Sequence, residues 1–209
     1  GGVLGGTVVD CVISNCCAYK GGGSRQAKIV RTLIVNCWSS GGGDAANGGS
    51  AYFCVFANNH GVSATSSVAS YNCTYVGNAS STAYAGATAA YNCLFSGNVG
   101  GIDTRSDATG SVNTKIASFP LMAPVFGDYR IVAGSLAAGC ADRSKFSATY
   151  TTDFSGNEIP ATGDLNVGAI AVGTITPAAG CVYVDCAASF EGAPLMTDNA
   201  SWAYPESYP

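Results

Sequence analysis

Five segments of this chain can be laid over one another without a gap: Cys11-Val-Ile-Ser-Asn-Cys16, Thr32-Leu-Ile-Val-Asn-Cys37, Cys54-Val-Phe-Ala-Asn-Asn59, Cys73-Thr-Tyr-Val-Gly-Asn78 and Cys93-Leu-Phe-Ser-Gly-Asn98. They follow one another at steps of 21, 22, 19 and 20 residues. A fixed period of that length, with one strong strand in each unit, is the sequence signature of a solenoid. Let the first residue of each segment be position zero, which reads Cys11, Thr32, Cys54, Cys73, Cys93. Two places on it reads Ile, Ile, Phe, Tyr, Phe; two places before it reads Val9, Val30, Tyr52, Tyr71, Tyr91. β-branched and aromatic residues at alternate positions predict a strand with one buried face. The coils are short for a strand-plus-helix unit and poor in helix formers, and glycine-rich stretches at 21–24 and 41–44 supply turns between them. The expected fold is an all-β parallel β-helix with one coil per repeat.

Stacked coils put like residues above like, about 4.8 Å apart. A column of Cys and Thr then fills a narrow interior with small groups. Asn59, Asn78 and Asn98, five places beyond zero, are expected to form a ladder that hydrogen-bonds between coils and to inward backbone groups. The repeated phrase is therefore read as packing rather than as an active site. Cα atoms at that spacing also fall within the roughly 4.4–6.8 Å range of disulfides. Cys16 with Cys37, or Cys73 with Cys54 or Cys93, are candidate pairs, with reduced stacks favoured at position zero. Cys140, Cys181 and Cys186 are further disulfide candidates, and Cys17 has no evident mate.

The 209 residues are 47% hydrophobic and 11% charged, with 28 glycines and a net charge of −4. That balance excludes a charged disordered chain and argues against nucleic acid as a partner, which needs clustered Lys and Arg. No stretch approaches the roughly 18 apolar residues of a membrane span. No basic n-region stands before the opening GGVLGGTVVD, so the N-terminus is expected to be a processed or cut end. Three regions are expected: regular coils over 1–101, irregular closing coils and loops over 102–173, and a tail over 174–209.

The glycine-rich coils with NC-x-F-x-G-N are followed by GDYRI-x-x-GS (127–135), D-x-x-GN (153–157) and D-x-N-V-G-A-I (164–170). In that order they resemble the right-handed parallel β-helix repeat proteins of bacterial surfaces. The likeness is to the choice-of-anchor Q type, with some to polymorphic outer-membrane proteins, and covers roughly residues 5–173. It implies a right-handed solenoid with irregular C-terminal coils at an extracellular or cell-surface location. Two motifs depart from the family's usual form. Ser135-Leu-Ala-Ala-Gly139 stands where the family reads SPAIDAG, and Val167-Gly-Ala-Ile-Ala171 where it often reads IGAYE. The tail CVYVDCAASFEGAPLMTDNASWAYPESYP (181–209) resembles the opening of such a domain, which implies one unit of an array cut out of phase.

Few residues suggest chemistry. His60, the only histidine, reads as a surface turn residue. Asp103, Arg105 and Asp107 form a polar cluster and are weak ligand candidates. Alternation points Asp10, Arg31, Phe53, Asn72 and Asn92 outward, one place before zero, as a solvated face with some capacity to hold sugar. Asp153, Asn157 and Glu158 are oxygen-rich, as Ca²⁺ requires, but lie in no D-x-D-x-D-G loop. A pair of acids on one coil, which a glycosidase needs, is missing from the five segments. No cofactor, metal or catalytic residue is indicated. The expectation is a structural or adhesive solenoid of a surface protein or fibre, stacking end to end, with glycans as a further partner. The alternatives are a carbohydrate-active β-helix, lyase or hydrolase, and a non-catalytic glycan-binding module.

Overall fold

A computed structural model describes residues 1–85, 90–98, 112–114, 121–124 and 127–176. Asp103, Arg105, Asp107, Cys181 and Cys186 lie outside the described residues, as does nearly all of the 174–209 tail. The described chain is an all-β solenoid of stacked parallel strands. The first coil carries β1 (Val3–Leu4), β2 (Thr7–Val9), β3 (Val12–Ser14) and β4 (Cys17–Ala18). The second carries β5 (Ser24–Val30), β6 (Leu33–Val35) and β7 (Trp38–Ser39); the third β8 (Ala46–Tyr52), β9 (Val55–Ala57) and β10 (His60–Ser66). Then come β11 (Ala69–Tyr71), β12 (Thr74–Val76), β13 (Ala79–Ala85), β14 (Ala90–Tyr91), β15 (Leu94–Ser96) and β16 (Val112–Thr114). One sheet stacks β3, β6, β9, β12, β15 and β16 in order, so the repeated phrase pairs with itself: Ile13↔Ile34, Ile34↔Phe56, Phe56↔Tyr75, Tyr75↔Phe95.

The backbone obeys a five-residue rule that simple alternation does not contain. Left-handed residues stand one place before zero (Asp10, Arg31, Phe53, Asn72, Asn92) and four places after it (Asn15, Asn36, Asn58, Gly77, Gly97). A third set, Gly5, Gln26, Gly48 and Ser67, lies five residues earlier again. Asn and Asp tolerate this conformation because their short side chains bond locally, whereas other L-residues lose roughly 1–2 kcal/mol each. Each left-handed residue turns the chain at a corner and breaks the period of two. Two consecutive side chains then face out before the next faces in. Inward positions therefore include Ile29, Ala51 and Ala90, three before zero, along with zero itself, two after it and five after it; their side chains form one buried cluster with Ile34, Phe56, Tyr75 and Phe95. The column two before zero, expected inside, turns outward: Val9 is exposed and Tyr52, Tyr71 and Tyr91 are half-buried, while Val30 is covered.

The outer face of the phrase sheet is not solvated where coils three to five expose it. Residues 127–176, with Leu121, form a strap across it. β17 (Leu121–Ala123) pairs antiparallel with β18 (Asp128–Ile131), and the remainder is irregular apart from a 3-10 turn at Arg143–Lys145. A second core results: Val55, Ala57, Val76 and Leu94 from the sheet against Leu121, Tyr129, Ile131, Ala137, Val167, Ala169 and Ile170. Phe53, Asn72 and Asn92, expected in a solvated column, are buried; Phe146 covers Phe53 with ring centroids 5.9 Å apart. Asp10 and Arg31 of the same column remain as an ion pair at 2.6 Å, with the Asp10 side chain 62% exposed.

Candidate functional site

The asparagine ladder has the geometry its column predicts. Asn78 Oδ1 accepts from the Asn59 backbone N–H and Nδ2, both at 3.0 Å, and Asn98 Oδ1 accepts from Asn78 N and Nδ2 at 3.0 and 2.8 Å. The amides donate inward to carbonyls of the preceding coil: Asn59 to Ile34, Asn78 to Phe56 and Asn98 to Tyr75. Asn59 Oδ1 extends the ladder to Cys37 N at 2.9 Å. Inside, the Tyr75 hydroxyl is held by Ser70 Oγ at 2.7 Å and Thr65 Oγ1 at 3.2 Å.

Position zero explains why Cys and Thr share a column. Each donates to the carbonyl two residues before it, across the left-handed corner: Cys11 to Val9, Thr32 to Val30, Cys54 to Tyr52, Cys73 to Tyr71 and Cys93 to Tyr91. All eight described cysteines carry free thiols, including the disulfide candidates Cys16, Cys37 and Cys140. Parallel in-register strands hold Cβ atoms at about the strand spacing of 4.8 Å, wider than the 3.5–4.5 Å a disulfide needs. Burial pushes the Cys37 thiol up to about 11, and desolvation raises Cys73 well above its usual range.

The charged motifs outside the phrase are spent on holding the chain. Buried Asp44 accepts from Ser39 Oγ at 2.7 Å and Val62 N at 3.2 Å. Asp153 is fully buried, and its two oxygens receive Ser155 N, Asn157 N, Asn157 Nδ2 and Val172 N. Four N–H donors occupy the carboxylate oxygens that a Ca²⁺ ion would need as ligands. Asn166 of the NVGAI motif accepts from Gly139 N and donates to Gly173 O at 2.7 Å. Beside it, Ala169 N donates to Thr74 Oγ1 at 2.9 Å and Gly168 N to Asn92 O at 2.8 Å, while the Asn92 side chain pairs with the Asp142 backbone in both directions. These bonds fasten the strap. His60 is exposed at the start of β10, as expected of a surface residue.

The groups left facing solvent together are ones that the alternation reading had placed indoors. Tyr52, Tyr71 and Tyr91 form a half-buried row on the flank, with ring centroids 4.9 and 5.3 Å apart and interplanar angles of 5° and 26°. Tyr150 of the strap tilts against Tyr52 at 4.7 Å. Lys28 lies over the Tyr150 and Tyr52 rings at 5.3 and 5.9 Å, and Lys145 over Tyr91 at 5.2 Å. Desolvation raises the Tyr71 hydroxyl. Tyr150 brings the Lys28 ammonium a hydrogen-bonding partner and raises it in turn. The row was legible as a column; the left-handed corner beside it is what turns it outward. No protein family, curated protein or solved structure matches this chain.

Proposed function

We propose that the protein is a structural or adhesive solenoid, working at a cell surface or outside the cell and extending coil upon coil. The observation that carries the reading is the register of the coils: each phrase strand pairs in parallel with its counterpart one coil on, from Ile13 on Ile34 to Tyr75 on Phe95, and the asparagine ladder repeats with it. Coils built to stack on their own pattern can stack on those of a second copy. Cryo-electron microscopy and light scattering of the chain across concentrations test this. Rods or oligomers that disappear in Cys11→Lys are expected; a monomer at every concentration would refute self-stacking.

The tyrosine row supports a second reading, a glycan-binding surface on the same solenoid. Binding is favoured over catalysis because the buried carboxylates Asp44 and Asp153 are already engaged by N–H and O–H donors of the chain itself.

A further inference from the structure

We propose that the tyrosine row with Lys28 and Lys145 binds an extended acidic polysaccharide, of the polyuronate class, laid along the solenoid axis. The proposal rests on the glycan-binding reading and specifies its ligand. Parallel rings with centroids only 4.9 Å apart must overlap face to face, since coplanar rings would collide at that distance. Tyr71 therefore has both faces covered, by Tyr52 on one side and Tyr91 on the other. Stacking of a neutral sugar or a nucleobase on the row, which needs open ring faces, is disfavoured. What the row presents is its edges and hydroxyls, repeating once per coil at about 4.8 Å.

Those hydroxyls are available. The buried Tyr75 hydroxyl is bonded by Ser70 and Thr65, whereas those of Tyr52, Tyr71 and Tyr91 hydrogen-bond to no described residue. Each can donate and accept, at a pitch close to the length of one extended pyranose unit. The two lysines bracket the row, Lys28 beside Tyr52 and Lys145 beside Tyr91. A ligand that uses every element carries oxygen groups at a regular repeat and a negative charge at more than one of them. The net charge of −4 gives such a polymer no general attraction to the protein, so the local lysines must supply it.

Calorimetric titration of the whole chain with oligogalacturonate, and with a cello-oligosaccharide of equal length, tests the proposal. The acidic oligomer is expected to bind and the neutral one not. Affinity should fall about tenfold in K28Q/K145Q and again on raising salt. Tyr71→Phe, which keeps the ring and removes one hydroxyl, should weaken binding about threefold. Both lysines are on the surface, so an unchanged melting temperature certifies that the double variant is folded. Acidic binding that ignores K28Q/K145Q overturns the proposal. Equal binding of both oligomers overturns the acidic preference and leaves the glycan reading standing; binding of neither overturns both.

Discussion

Replacing Asn78 by Ala tests whether the ladder holds the solenoid together. The change leaves the buried Asn59 N–H with no acceptor, because Asn78 Oδ1 is its partner at 3.0 Å. An orphaned buried donor costs about 2 kcal/mol. The same change deletes the amide's bonds to Phe56 O and Asn98 Oδ1 and leaves a small void in the close-packed interior, for about 2 kcal/mol more. The expected loss is about 4 kcal/mol, a large share of the roughly 5–15 kcal/mol that holds a domain folded. Urea unfolding followed by circular dichroism reads it as a midpoint lowered by about 2 M at a slope of about 2 kcal/mol/M. Asn78→Asp separates acceptor from donor. It keeps an oxygen for Asn59 N, but sets a buried charge against Phe56 O and Asn98 Oδ1. That raises its folded pKa, so the stability it retains is present below about pH 4 and lost as pH rises through the folded value. A loss under about 1 kcal/mol in Asn78→Ala, or an Asn78→Asp protein as stable at pH 7 as at pH 3.5, would refute the ladder as a source of stability.

Further outcomes follow from the same contacts. Gly168→Ala puts a Cβ 2.8 Å from Thr74 Oγ1 and 3.1 Å from Leu94 Cβ at a φ of +106°, so it should destabilise by about 2–3 kcal/mol and expose the strap to limited proteolysis; unchanged cleavage would count against the strap's seat. Iodoacetamide at pH 8 followed by peptide mass spectrometry should label Cys11, Cys17 and Cys140 and spare Cys37, Cys54, Cys73 and Cys93 until unfolding, since burial protects the thiols and holds Cys37 near 11. Asp10→Asn should cost less than about 1 kcal/mol, because the Asp10 side of its pair with Arg31 is largely solvated. The Arg31 hydrogen bond lowers the Asp10 pKa, so this small term is present at neutral pH and fades only as pH falls below the usual carboxylate range; a pH-stability curve comparing the two proteins checks it. Cys54→Thr should be nearly neutral in thermal melts, since Thr32 already makes the same bond to the carbonyl two residues back.

The repeat made the coils readable because stacking forces identical environments on residues about 20 apart. Asn59, Asn78 and Asn98 could be assigned inward on that ground alone. Tyr52, Tyr71 and Tyr91 could not be placed correctly, because period-two alternation assumes an extended backbone and the left-handed residues between them and position zero break it. The strap was harder still. Its grip on the sheet depends on dispersed apolar residues such as Ile131, Val167 and Ile170, which follow no period. One signal did exist: Leu33, Val55 and Leu94, alternate to the inward Ile34, Phe56 and Phe95, are also apolar, and a strand apolar on both faces is one covered on both sides.

The three left-handed corners also act as a ruler. From Gly5 to Asn15, Gln26 to Asn36, Gly48 to Asn58 and Ser67 to Gly77 the span is ten residues every time. The return from Asn15 to Gln26, Asn36 to Gly48 and Asn58 to Ser67 takes 11, 12 and 9. All of the variation in coil length therefore falls on one side of the solenoid. An insertion near Ser40–Gly42 changes the outline of a coil and leaves the ladder in step, whereas one residue added between Phe53 and Asn58 throws every later coil out of phase. Length can drift on the tolerant side, and whole coils can be duplicated or lost, while the inner columns stay aligned.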